Sequence, residues 1–235
     1  MCRCNFFHFF LDIDFENPYL IKQYRTPMLD WTAYIAGIWA EILKGSIQNG
    51  QTIVEFAPGG TNKVGTALAR IQWSGTLYVV EPESLALETT LNTYKQILPN
   101  CKLVPVLSTL SQLPLEHFDI LLANHPIDDM IIGNALSANL FASFFNNHYE
   151  KPIDHTKILW NAFSVSEIAK FATLVVDEVR EYAKRATFTF LSQYHSYFFK
   201  FNGFTKPDDI ANEALRAIRE NIGGKLIRNG QWLIA

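Results

Sequence analysis

Apolar positions along the chain fall into two alternating periods. Trp31, Ile35, Ile38, Trp39 and Ile42 recur at helical spacing and predict a helix over about Asp30–Lys44. After the Asn49-Gly50 turn come short apolar runs, each followed by a helical stripe. Thr52–Phe56 predicts a first buried strand, and Val64, Ala67, Leu68 and Ile71 mark the helix after it. Thr76–Val80 predicts a second strand, with Leu87, Leu91, Tyr94 and Leu98 as the next stripe. Leu103–Leu107 and His117–Ala123 predict strands three and four. Apolar strands alternating with helices imply a parallel sheet covered on both faces.

Two details sharpen the topology. Pro105 cannot donate to a sheet ladder, so strand three belongs at an edge. An edge there agrees with a doubly wound order 3-2-1-4-5. Later in the chain, Ser164-x-x-Glu167 is a capping box opening a helix with Ile168, Val175 and Val179 on its buried stripe. Thr187–Leu191 predicts strand five, and a helix follows from Thr205 to Gly223-Gly224. Lys225–Arg228 and Gln231–Ile234 flank Asn229-Gly230, the favoured centre of a type I′ hairpin. The expected fold is therefore α/β: a doubly wound, mostly parallel, seven-stranded sheet with an antiparallel C-terminal hairpin. Residues 1–49 are expected to form an N-terminal arm and helical cap on a domain over 50–235, and residues 141–164 an inserted lid.

Composition narrows the class. At 49% hydrophobic and 18% charged, the 235 residues can bury a core. A net charge of −3 gives no basic footprint, so nucleic acid is not an expected partner. Cys2, Cys4 and Cys101 are too few for a disulfide framework and suit a reducing, cytoplasmic setting. Cys2-x-Cys4 lacks a second ligand pair, so no metal site is expected. No apolar run reaches membrane-spanning length, and the Phe6–Leu11 run reads as an arm packing back on the domain.

Candidate chemistry gathers at the strand ends. The first strand runs into Glu55-Phe-Ala57-Pro58-Gly59-Gly60-Thr61-Asn62, where glycines admit a ligand beside a helix N-terminus. Gly60 and Gly65 have the spacing of a nucleoside-triphosphate loop, but Thr66 stands where lysine must be. A dinucleotide fingerprint would keep one glycine of three, Gly59. Glu81 closes the second strand, where a carboxylate can accept from both hydroxyls of a ribose. Pro82 follows it, and Ser108-Thr109 follow strand three. Asn124-His125-Pro126 follow strand four, and His125 reads either as a hydrogen-bonded structural histidine or, by its ordinary pKa, as a general base. Asp128 and Asp129 read either as cation ligands or as helix caps. Tyr19, Tyr24, Trp31, Trp160, Tyr194 and Tyr197 flank the presumed pocket or belong to ordinary packing.

The loop resembles the first motif of the class I S-adenosylmethionine-dependent methyltransferases, acidic-x-Gly-x-Gly-x-Gly. Glu55 takes the acidic position and Gly59 the second glycine, while Ala57 and Thr61 replace the first and third. The C-terminal hairpin is similar to the family's strand six–strand seven pair. The resemblance implies S-adenosylmethionine as cofactor. Glu55 would organise the loop near the methionine amino group, and Ala57, Pro58, Gly59 and Gly60 would pass beneath the cofactor. Glu81 and Pro82 would sit at the ribose. Ser108 or Thr109 would stand at the adenine amine in place of the family's usual acid, or cap a helix. Asn124 and His125 would face the acceptor, in a segment partly similar to the Asn-Pro-Pro-Tyr motif of amide and adenine N-methyltransferases. The implied function is methyl transfer to a small-molecule acceptor. A silent cofactor-binding scaffold and an NAD-dependent oxidoreductase are the alternatives.

Overall fold

The computed structural model describes residues 28–136, 152–196, 199 and 202–235. The N-terminal arm, with Cys2, Cys4, Tyr19 and Tyr24, lies outside these residues. So do Tyr197 and residues 137–151, which include residues 141–151 of the expected lid.

The chain order begins α1 (Met28–Leu43), β1 (Thr52–Phe56), α2 (Lys63–Arg70), β2 (Thr76–Val80), α3 (Ser84–Ile97) and β3 (Lys102–Val106). It continues β4 (Phe118–Asn124), α4 (Ile127–Ala135), α5 (Pro152–Ala162), α6 (Val165–Ala183) and β5 (Ala186–Ser192). It ends α7 (Lys206–Ile222), β6 (Lys225–Ile227) and β7 (Trp232–Ile234). One short 3-10 turn, Leu110–Gln112, follows β3.

All seven strands join one sheet in the order β3-β2-β1-β4-β5-β7-β6. The first five run parallel, and β7 pairs antiparallel with both β5 and β6. β3 is an edge strand, and Pro105 lies opposite Val79 without needing an outward donor. Asn229 and Gly230 both take positive φ (58° and 81°), as a type I′ centre requires, and Gln231 N–H closes the turn on Arg228 C=O. Arg228 also takes positive φ (49°), which ends the strand pairing one residue earlier than its sequence pattern suggested.

Successive strand residues face opposite sides, so each strand feeds two cores. Val54, Phe56, Leu121 and Ala123 pack under α4, α6 and α7. Ile53, Leu77, Val79, Ile120 and Leu122 pack under α1, α2 and α3. Trp39 of α1 is fully buried in this second core, so the N-terminal helix is part of the domain's own interior. The second half of the expected lid, 152–162, is helix α5, and its Trp160 is buried in the first core. Among the described residues, no single helix is long and apolar enough to cross a membrane.

Candidate functional site

β2 and β3 extend the sheet to one side of β1, while β4 and β5 extend it to the other. That reversal opens a crevice at the strand carboxyl ends, where open α/β sheets take their ligands. A cleft of about 540 Å³ lies there, within the range that holds small ligands. Ala57 and Gly59 line it after β1, Glu81 and Pro82 after β2, and Ser108 and Thr109 after β3. Asp129 of α4 and Glu178 of α6 line it as well. Seven of the sequence candidates, Asp129 among them, therefore converge on one cavity. Pro58 and Gly60 belong to the same turn without lining the cleft, and Glu55, Asn124 and His125 lie elsewhere.

The loop after β1 is held by hydrogen bonds at each step. Ala57 N–H donates to Val80 C=O (2.9 Å), and Thr61 N–H donates to Pro58 C=O (3.1 Å). Ala57, Gly59 and Gly60 all take positive φ (49°, 60° and 72°). Ala57 thus occupies, with a side chain, the left-handed conformation that a glycine adopts without strain. A Cβ added at Gly59 would meet nothing within 4 Å, so the backbone there is open to the cleft.

Glu81 ties the loop to the second strand. Its carboxylate accepts from Gly59 N–H (3.0 Å) and from Glu83 N–H (3.1 Å), one per oxygen. A carboxylate offers about four acceptor positions, so each oxygen keeps one for a ligand. Only 2% of Glu81 is exposed, and burial pushes its carboxyl up to about 7 despite the two N–H donors.

Glu55 sits behind the loop and is fully buried. The Tyr94 hydroxyl donates to its carboxylate, 3.0 Å from either oxygen, and accepts from Gly65 N–H (3.0 Å). Gly65 admits this approach because a Cβ there would lie 2.2 Å from the Tyr94 ring. Glu55 therefore anchors the first turn of α2 through a tyrosine. Burial pushes its carboxyl up to about 8, against the lowering by Tyr94. No sequence signal joined Tyr94 to Glu55, since the two are 39 positions apart.

Asn124 and His125 build a second polar network beyond β4 and β5. Asn124 Oδ1 accepts from the Trp39 indole N–H (2.9 Å), and its amide donates to the Tyr194 hydroxyl (3.2 Å). His125 takes a positive φ of 58°. Its Nε2 lies 2.6 Å from Tyr194 C=O and its Nδ1 3.1 Å from Asp128 Oδ1. Neither of these partners can donate, so a ring with protons on both nitrogens satisfies both, while the Gln193 amide also approaches Nε2 (3.2 Å). Burial alone lowers a histidine, but Asp128 and Asp208 outweigh it and hold His125 well above its ordinary value. Asp128 is held low by His125 against its own burial. Gln193 completes the network, donating to Asp128 (3.0 Å) and accepting from Ile127 N–H (3.0 Å).

Asp128 and Asp129 thus separate: one is bound to His125, and the other lies at the cleft wall. No described group of three or more histidine, cysteine or acidic residues is arranged to hold a metal ion. Burial, reinforced by Asp128, holds the Asp129 carboxyl well above its ordinary range. Thr109 occupies the N-cap of the 3-10 turn without a side-chain cap bond. Trp31 and Tyr194 pack edge to face, and neither they nor Trp160 lines the cleft. Glu178 was not a sequence candidate.

No family model matches the chain, and no curated protein does. Several solved structures do. A SAM-dependent methyltransferase from Aquifex aeolicus is 13% identical, with a TM-score of 0.47 over 93% of this chain and 96% of that one. Magnesium protoporphyrin IX methyltransferase (ChlM) from Synechocystis PCC 6803, with bound SAH, is 11% identical, with a TM-score of 0.48 over 85% and 75%. A methyltransferase structure from Thermoplasma acidophilum is 14% identical, with a TM-score of 0.39 over 76% and 56%. For two further matches the chain spans 32% and 48% of their length. The strand pairing of this chain is a doubly wound, mostly parallel seven-stranded sheet, in the order β3-β2-β1-β4-β5-β7-β6 with an antiparallel terminal pair, as the sequence led one to expect.

Proposed function

We propose that the chain binds S-adenosylmethionine in this cleft and transfers its methyl group to a small-molecule acceptor. The observation that carries this reading is Glu81. It is a buried carboxylate at the end of β2, aimed by two backbone N–H groups, with acceptor capacity left for the two ribose hydroxyls. Gly59, open to the cleft, supplies backbone that a ligand can approach closely. These residues fit the cofactor, which when bound supplies an electrophilic methyl on a sulfonium.

The chain's own contribution is then alignment and exclusion of water. Ala57, Gly59, Glu81 and Pro82 hold the cofactor, with Pro58 and Gly60 shaping the turn. Glu55 acts through Tyr94 on the start of α2. Ser108 and Thr109 border the base end. Asp129, its carboxyl raised by burial and by Asp128, borders the cleft beside the place of the acceptor or the methionine end. Asn124 and His125 act as positioning residues, because their polar atoms are committed to Trp39, Tyr194 and Asp128.

The antiparallel terminal hairpin speaks against the NAD-dependent alternative, which called for an all-parallel six-stranded sheet. Calorimetry with S-adenosylmethionine, S-adenosylhomocysteine and NAD tests the choice side by side. Heat with the first two alone is the expected result. Binding of NAD alone would overturn it, and binding without methyl transfer to any acceptor would identify the silent scaffold.

A further inference from the structure

The loop directly after β3 brings no acid to its end of the cleft. Ser108 and Thr109 stand there instead, and their hydroxyls bond locally. Ser108 Oγ donates to Thr109 C=O (3.1 Å), and Thr109 Oγ1 pairs with Ser111 Oγ (2.8 Å). A carboxylate reaches the same end from a distant element. Glu178, on α6, lines the cleft, and its Oε1 accepts from Ser111 N–H (2.8 Å). That bond fixes the side chain across 67 positions of sequence. Its other oxygen, Oε2, has no hydrogen bond among the described residues. Burial raises the Glu178 carboxyl above its ordinary range, which an N–H donor in the cleft would reverse.

β2 lies between β1 and β3, so a ribose held at Glu81 has the Gly59 loop on one side and the β3 end, with Glu178, on the other. With the methionine end on the Gly59 loop, the base extends toward β3 and Glu178. We infer that Glu178 reads the exocyclic amine of the cofactor's adenine, supplying from α6 the acceptor that the chain lacks after β3. This inference rests on the proposed cofactor. Ionised Oε2 offers lone pairs only, so it accepts from a 6-amino group and repels the lone pairs of a 6-oxo group.

Glu178→Gln separates this role from a structural one. The glutamine carbonyl keeps the bond from Ser111 N–H, and its amide then points N–H donors at the base. A 6-amino purine meets donor against donor, and a 6-oxo purine gains a partner. The experiment is calorimetry of S-adenosylhomocysteine and S-inosylhomocysteine on both proteins, with melting temperature as the folding control. The wild type should prefer the adenine compound on the order of 10–100-fold, the scale of a hydrogen bond to a charged group. Glu178→Gln should lose or invert that preference. If the wild type binds both compounds equally, the inference fails whether or not the variant folds. It also fails if a folded Glu178→Gln keeps the wild-type preference, and in both cases the cofactor assignment stands. If the wild type binds neither compound, the cofactor assignment itself fails and this inference with it.

Discussion

Two polar regions lie at the carboxyl end of the same sheet, and they use their side chains in opposite ways. Beyond β4 and β5, Asn124, His125, Asp128 and Gln193 satisfy one another inside the protein. Beyond β1, β2 and β3, Glu81, Asp129 and Glu178 line an open cleft. Their hydrogen bonds with the chain leave acceptor positions over. The residue types most associated with catalysis thus sit in the region that stabilises the fold. The plainer carboxylates sit where a ligand can reach. A histidine or asparagine at a strand end becomes a candidate only if its hydrogen-bonding capacity is not already consumed.

The largest expected effect breaks the sealed side. His125→Ala leaves Asp128 and the almost fully buried Asp208 without their cation, and removing one partner of a buried pair costs about 3–5 kcal/mol. Denaturant unfolding should record that loss. A folded fraction should bind S-adenosylhomocysteine with affinity close to that of the wild type. Reduced affinity with unchanged stability would reverse the assignment of the two regions.

Next comes a pH effect behind the loop. Glu55 titrates near 4.5 when exposed and at about 8 in the fold. Its protonated form therefore contributes stability that is fully present below about 4.5 and is lost as pH rises through about 8. Glu81, raised to about 7, adds a loss of the same sign. Glu55→Gln keeps an acceptor for the Tyr94 hydroxyl without the charge. Its stability relative to the wild type should rise from pH 5 to about pH 8 and level off above that, as followed by urea midpoints. A difference that stays flat would mean that Glu55 is not held protonated.

The framework was legible in the sequence because its causes are local. β1 and β2 have the bounds that their apolar runs give, and the capping box at Ser164 forms with both of its bonds. Pro105 marks the sheet edge, and Asn229-Gly230 makes the hairpin. The site was legible only in part. Glu81, Gly59, Ser108 and Thr109 sit at strand ends, so a strand assignment places them together. Tyr94 and Glu178 escaped because each looks like an ordinary helix residue, and its partner is set by tertiary packing 39 or 67 positions away. Asn124 and His125 drew attention by residue type, yet Trp39 and Tyr194 had already claimed their polar atoms. Helix α5 was hidden by the polar, aromatic composition of its sequence, although Trp160 anchors it in the core.

The smallest effect concerns the strained position in the loop. Ala57→Gly relieves a left-handed conformation, at φ 49°, that costs a residue with a Cβ about 1–2 kcal/mol. The greater freedom of glycine in the unfolded chain offsets roughly half of that. A net gain of about 0.5–1 kcal/mol in thermal or urea unfolding is expected. A clear loss would show that the Ala57 methyl packs against something more valuable than its strain.

The account stands most directly on Glu81. Titration of S-adenosylhomocysteine into the wild type should give a micromolar Kd, about −8 kcal/mol. Glu81→Ala should lose about 1.5–3 kcal/mol of that affinity, the scale of hydrogen bonds to a charged acceptor. Absence of heat from the wild type at millimolar ligand, or an affinity unchanged in a folded Glu81→Ala, would contradict a ribose held at the end of β2.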